Sequence, residues 1–159
     1  MEPIKMIKRQ SIGMGANQPA FDKLEDFNAR GLYNPLLLRG YGRNIYEKGQ
    51  VIGYLLEVRI PGYRGLPLNQ IQELAFEVDG QFIPDDVKFI WYKGREFPLS
   101  WLGTGHFDNE FMWNYTDYLP VFLKIPGGIP QGVHRVRYGL ALRDHYSTTC
   151  YCDKEVTIV

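Results

Sequence analysis

The chain has 159 residues, enough for one domain whose folding buries about two thirds of the unfolded surface without disulfides or metal. Lysine plus arginine equals aspartate plus glutamate at 18 each, so no long-range field draws in nucleic acid or an anionic membrane. No apolar run approaches the ~20 residues of a membrane span, and Met1–Arg9 lacks the apolar core of a secretory signal.

Residues 1–48 form the least regular part, interrupted by Gly13, Gly15, Gly31, Gly40 and Gly42. Only 19–30 has the spacing of a short helix, through Phe21, Leu24 and Phe27. Leu36-Leu37-Leu38 reads as a short buried strand. The whole segment is expected to be an extended arm packed on the domain or on a partner, because so many Phe, Leu and Tyr side chains favour lying on a surface.

From residue 49 to the end the pattern is that of a β domain. Ile52, Tyr54, Leu56, Val58 and Ile60 share one face of a strand, with period two. The stretch Arg59-Ile60-Pro61-Gly62-Tyr63-Arg64-Gly65-Leu66-Pro67-Leu68 follows. It is no ordinary polar turn, since prolines and glycines restrict or release φ around a large aromatic and a guanidinium. Leu74, Phe76 and Val78 mark the next strand. Asp79-Gly80 is a strong two-residue hairpin signal, and Gln81-Phe82-Ile83 returns from it. Asp85-Asp86 reads as a solvated turn. In the next strand Val87, Phe89 and Trp91 alternate with Lys88, Ile90 and Tyr92, and Lys93-Gly94 turns the chain into Phe97-Pro98-Leu99.

Residues 100–117 form a long, aromatic-rich loop, and loops of that kind are usually functional. Leu119, Val121, Leu123 and Ile125 then share a strand face. Pro126 to Gly132 connects to the clearest strand, where His134, Val136, Tyr138, Leu140 and Leu142 alternate with Arg135, Arg137 and Ala141. Val156–Val159 is the last strand. Short strands, Gly/Pro/Asp turns and almost no helix predict an all-β fold, an antiparallel, jelly-roll-like β-sandwich with an irregular N-terminal arm.

Few residues carry chemistry by themselves. Gly-x-Gly-x-x-Gly, Walker and Gly-x-Ser-x-Gly motifs are absent. His134 reads as a satisfied, half-buried histidine at the head of its strand. His145 with Cys150 and Cys152 matches no common zinc spacing. The two thiols, one residue apart, sit at the outer limit of disulfide reach and are expected reduced, in the cytoplasm. His106, Asp108 and Glu110 alternate and would share one face of an extended segment. One imidazole and two carboxylates there could bind a metal; the plainer reading is a solvated acidic loop.

Taken together, the Arg59–Leu68 stretch, Val78-Asp79-Gly80, Pro126-Gly127-Gly128 and Gly132-Val133-His134-Arg135-Val136 resemble the small β subunit of the C-glycoside deglycosidases. The likeness covers about residues 49–145. It implies a β-sandwich subunit paired with a larger, barrel-type α subunit that carries a divalent metal, manganese, and the acid/base residues. It implies no catalytic residue, cofactor or metal on this chain. The substrate would be a C-glycoside already oxidised at C3 of its sugar. A 3-ketone acidifies the C2 proton, a metal on the ketone oxygen stabilises the enolate, and the aryl carbon leaves C1 by β-elimination. On this reading His106, Asp108 and Trp113 border the partner's sugar pocket, while Tyr63 and Arg64 serve positioning and the interface. Neutral charge and abundant aromatics suit an interface. The alternative is a stand-alone carbohydrate-binding β-sandwich module.

Overall fold

The computed structural model describes residues 32–61, 65–102, 111–143 and 149–159. The expected helix over 19–30 lies outside them. The described residues form strands joined by tight turns and 3-10 turns, with no α-helix among them. The strands are β1 (Leu32–Tyr33), β2 (Tyr41–Glu47), β3 (Gln50–Val58), β4 (Leu66–Pro67), β5 (Ile71–Val78) and β6 (Gln81–Phe82). They continue with β7 (Lys88–Tyr92), β8 (Arg95–Pro98), β9 (Met112–Trp113), β10 (Leu119–Leu123), β11 (Gly132–Leu142) and β12 (Thr149–Ile158). The fold is all-β, as expected. No helix among the described residues is long and apolar enough to cross a membrane.

The sheet is one continuous path, β6-β5-β11-β12-β2-β3-β10-β7-β8, with β1 added beside β12. It is mixed rather than purely antiparallel. β12 pairs in parallel with β2 through Thr157 and Ile158, and with β1 through Cys150 and Tyr151. This parallel seam joins two antiparallel halves, and the sheet curls so that both face one core. Tyr54, Leu56, Val58 and Ile90 of one half meet Leu74, Phe76, Val136, Tyr138 and Leu140 of the other in a single buried cluster.

The sheet begins earlier than residue 49. β2 pairs with β3 across a Lys48-Gly49 turn whose two residues have φ of +51° and +78°. Asp79-Gly80 and Lys93-Gly94 repeat that left-handed pair, the conformation that matches hairpin twist. Leu36–Leu38 is not a strand. Pro35 starts a 3-10 turn capped by the Asn34 side chain, which accepts from the Leu36 N–H at 3.0 Å. Leu36 is left exposed, while Leu37 and Leu38 enter the core.

Ile52 does not join the core face expected of it. The β2–β3 register slips between Ile45 and Tyr46: Ile45 faces Gly53 and Tyr46 faces Val51. The extra residue of that bulge is Ile52, and a bulge reverses the alternation locally. Ile52 therefore packs with Ile45, Leu55, Phe89, Trp91 and Phe122 on the outer side of the sheet. The opposite outer side combines a small apolar cluster of Ala75, Phe82, Ala141 and Tyr151 with ion pairs. There Arg137 contacts Glu77 and Asp153, and Arg135 Nε donates to Asp153 at 2.6 Å.

Asp85 is a second departure. It is buried, not solvated, whereas its neighbour Asp86 is exposed. The fully buried Lys88 donates to Asp85 Oδ1 at 2.9 Å and to the Leu74 carbonyl at 2.8 Å, and its Nζ lies 5.8 Å from the Phe76 ring centre. β7 thus turns Lys88 and Ile90 inward and Phe89 and Trp91 outward.

The last strand is longer than Val156–Val159. β12 begins at Thr149 and takes Cys150 and Cys152 into the core as free thiols. Burial pushes the Cys150 thiol up to about 12, so it stays protonated and unreactive at neutral pH.

A candidate cleft between a hairpin and a strapped segment

An open cleft of about 1180 Å³ lies between the end of the β7–β8 hairpin and residues 112–120. Trp91, Tyr92 and Tyr118 supply aromatic surface, and Glu57, Lys93, Arg95, Glu96, Asn114 and Asp117 supply charge and hydrogen bonding. The hairpin wall is tied down. The Trp91 indole donates to Glu96 Oε1 at 2.9 Å, and the Tyr92 hydroxyl donates to the Met112 carbonyl at 2.8 Å across the cleft floor.

The other wall is held by the unusual stretch after β3. β4 pairs with β9, setting Leu66 against Trp113 and Pro67 against Met112. A Cβ on Gly65 would lie 2.8 Å from the Trp113 carbonyl, so only glycine allows that approach. Arg59 donates to the Tyr115 carbonyl at 3.1 Å and lies over the Tyr118 ring. Arg39 approaches the same ring, is flanked by Tyr41, and pairs with Glu57 at 3.2 Å. The described ends of the Arg59–Leu68 stretch therefore fasten the segment that forms the cleft.

Of the residues expected at a site, Trp113 is placed here. It forms part of the cleft floor yet is only 2% exposed, and its indole N–H donates to the Asp117 carbonyl at 3.0 Å, closing the 114–117 turn. His106 and Asp108 lie outside the described residues, as do Glu110, Tyr63, Arg64 and His145. The flanks of the 103–110 segment are described. Phe111 packs on Tyr92 and Phe97, close to the hairpin end of the cleft. Sequence reading missed Lys93, Arg95 and Tyr118, because a turn and two isolated side chains carry no spacing signal.

His134 sits elsewhere, at the start of β11. Its Nδ1 is 2.6 Å from Asp79 Oδ2, and its Nε2 is 2.6 Å from the Pro130 carbonyl. Asp79 also accepts the Arg135 N–H at 3.0 Å. Burial lowers the pKa of this imidazole, but the hydrogen bonds to Asp79 and Pro130, with the Asp79 charge, outweigh it, and the net shift is upward. A raised folded-state value means that the contribution to stability is complete below about pH 6.5, the ordinary histidine value, and is lost as pH rises through the folded value. Asp79 is half exposed, so screening keeps the effect modest. Thermal melting of the chain and of His134→Gln at a series of pH values is expected to show the gap largest in acid and narrowing above neutrality. A gap independent of pH would contradict the charged-pair reading.

A family model for the C-glycoside deglycosidase beta subunit matches residues 34–146. The chain belongs to that family. It is similar to the C-glycoside deglycosidase beta subunit of Eubacterium cellulosolvens, 33% identical over 105 residues, 65% of this chain and 69% of that one. The matched span takes in β2 to β11, both walls of the cleft and the His134–Asp79 pair. It also begins well before residue 49, in keeping with the early start of the sheet. A beta subunit is by definition one part of an assembly with another kind of chain.

Proposed function

We propose that the chain is the small subunit of a heteromeric C-glycoside deglycosidase, in which it stabilises a larger catalytic subunit and borders that subunit's active site. The observation that carries this reading is the family match across 34–146. The substrate proposed is a 3-oxo-C-glycoside. Removal of the acidic C2 proton generates an enolate, and collapse of the enolate breaks the C1–aryl bond. The bonding pair leaves with the aryl carbon, which takes up a proton, and the sugar keeps a C1–C2 double bond. No water is consumed, so the reaction is a lyase reaction.

The catalytic base and the divalent metal, manganese, are assigned to the partner, a barrel-type chain. Among the described residues no three His, Cys, Asp or Glu side chains gather into a possible metal site, so this part of the chain does not fit the metal. The described histidine is engaged by Asp79 and Pro130, and the described thiols are buried. The assembly is placed in the cytoplasm, where the two thiols stay reduced.

Co-expression with a barrel-type protein encoded beside it, followed by assay on a 3-oxo-C-glucoside, tests the proposal. Co-purification is expected, with neither chain active alone. A barrel subunit that is stable and fully active without this chain would overturn it. Glycan binding by the isolated chain with no partner required would favour the carbohydrate-binding module instead.

A further inference from the structure

The two outer sides of the sheet differ in what they leave at the surface. On the β2–β3–β10–β7–β8 side, the register carries one row straight across the strands. Arg43 stands opposite Leu55, Leu55 opposite Phe122, Phe122 opposite Phe89, and Phe89 opposite Pro98. Leu55 and Phe122 are sealed, with the Trp91 ring centre 5.2 Å from that of Phe122. Around them Ile52, Phe89, Trp91, Pro98 and Pro120 stay only partly buried. Apolar surface therefore still meets solvent on this side after the sheet has formed.

A ladder of tyrosine and arginine borders that surface. The Arg39 guanidinium lies 4.9 Å from the centre of the Tyr41 ring and 5.4 Å from that of Tyr118, and Arg59 lies 5.3 Å from Tyr118. Guanidiniums stacked in this way are ordered before any partner arrives, so binding costs them little further entropy. Aromatic and arginine side chains around an apolar patch make the composition of a protein interface. The charges are unevenly matched. Glu57 pairs with Arg39, and Glu96 lies 3.7 Å from Lys124, whose ammonium sits over the Phe89 ring. Arg43 and Arg59 have no carboxylate within ion-pair distance among the described residues. On the other outer side, Arg135 and Arg137 are both paired, with Asp153 and Glu77.

We propose that the outer side of β2–β3–β10–β7–β8 is the face that docks on the larger subunit of the assembly, against apolar side chains bordered by carboxylates. This rests on the proposed function for the existence of that subunit, and on the face itself for where it sits. Arg43 and Arg59 keep donors for carboxylates across the interface, where charge-assisted pairs are strongest. The same cations disfavour a second copy of the chain. A symmetric pairing would set one such face against another, with the same unmatched guanidiniums on both sides.

The test uses the full chain co-expressed with the barrel-type protein encoded beside it. Arg43→Glu and, separately, Tyr41→Ala are expected to weaken association at least about tenfold, as loss of a hot-spot side chain does. Both side chains are exposed, so the melting temperature of the free chain should not change. Added salt should weaken the wild-type complex more than the Arg43→Glu complex. Glu155→Lys is an exposed charge reversal beside Arg135 on the other outer side, and it should leave association intact. In the wild type, hydroxyl-radical labelling of Tyr41, Phe89 and Trp91 should fall when the assembly forms. Full-strength association of either variant, equal weakening by Glu155→Lys, or unchanged labelling of those rings would each overturn the inference and leave the proposed function standing. A dimer of the free chain that Arg43→Glu dissolves would give the face to a second copy and overturn it as well. If the wild-type chain and the barrel-type protein do not associate, the proposed function and the inference both fall.

Discussion

Replacing Asp85 with alanine is expected to lower stability by about 3–5 kcal/mol, the cost of leaving a buried charge without its partner. Lys88 is fully enclosed, and its ammonium is held by Asp85 Oδ1, by the Leu74 carbonyl and against the Phe76 ring. Removing the carboxylate strands that charge between the two halves of the sheet. Replacing both residues, as Asp85→Ala with Lys88→Met, removes the charge together with its desolvation cost. The double variant should therefore recover much of the loss, because well-packed apolar groups often replace a buried pair at little or no cost. Urea unfolding of the two single variants and the double variant measures the coupling directly. Additive losses would mean that Asp85 and Lys88 act independently. The consequence reaches the cleft, since Lys88 opens the strand that ends at Trp91 and Tyr92.

Trp113→Ala should be comparably severe. The ring is buried in the main core and its N–H closes the turn that leads into Tyr118. Truncating a buried tryptophan costs about 3–5 kcal/mol. Trp113→Phe keeps most of the packing but leaves the Asp117 carbonyl without its donor. It should cost less, about 1–3 kcal/mol for an unsatisfied group. A chemical-denaturation midpoint that falls far for alanine and modestly for phenylalanine would fit a ring that acts as a frame beneath the cleft. Equal losses from the two substitutions would point instead to the hydrogen bond as the main contribution.

Much of the fold is legible in the sequence where local chemistry and tertiary packing agree. The alternation in β11 is one case. Val136, Tyr138, Leu140 and Leu142 enter the core as their spacing requires. Asp79-Gly80 is another, because the left-handed φ of its two residues is a local property of that turn. Asp79 does a second task that no turn signal announces. Its carboxylate reaches His134 and the Arg135 N–H, residues 55 and 56 positions away. The glycine and proline signals around Arg59–Leu68 mark a special connection. That Arg59, Gly65, Leu66 and Pro67 fasten the 112–118 segment depends on residues about 50 positions further along.

Three readings failed for one shared reason. Asp85 looked solvated because an acidic pair after a proline usually is, and its burial depends on Lys88 pointing inward from the next strand. Ile52 looked like a core residue because alternation assumes an unbroken register, and the bulge opposite Ile45 breaks it. Residues 149–155 showed no clear strand pattern, because Asp153-Lys154-Glu155 interrupt the apolar alternation that Cys150 and Cys152 begin, and their strand state depends on pairing with the distant β11.

The sequence by itself determined the strand content, most of the turns, the family and the absence of a net field, since these follow from residue type and short spacing. Only the tertiary structure decided the parallel seam that joins β12 to β1 and β2, the burial of the Asp85–Lys88 pair and the meeting of a hairpin tip with the 112–120 segment to make a cleft. Each of those depends on which distant strands pair and which way a strand faces. A one-residue slip changes that facing without changing any local propensity.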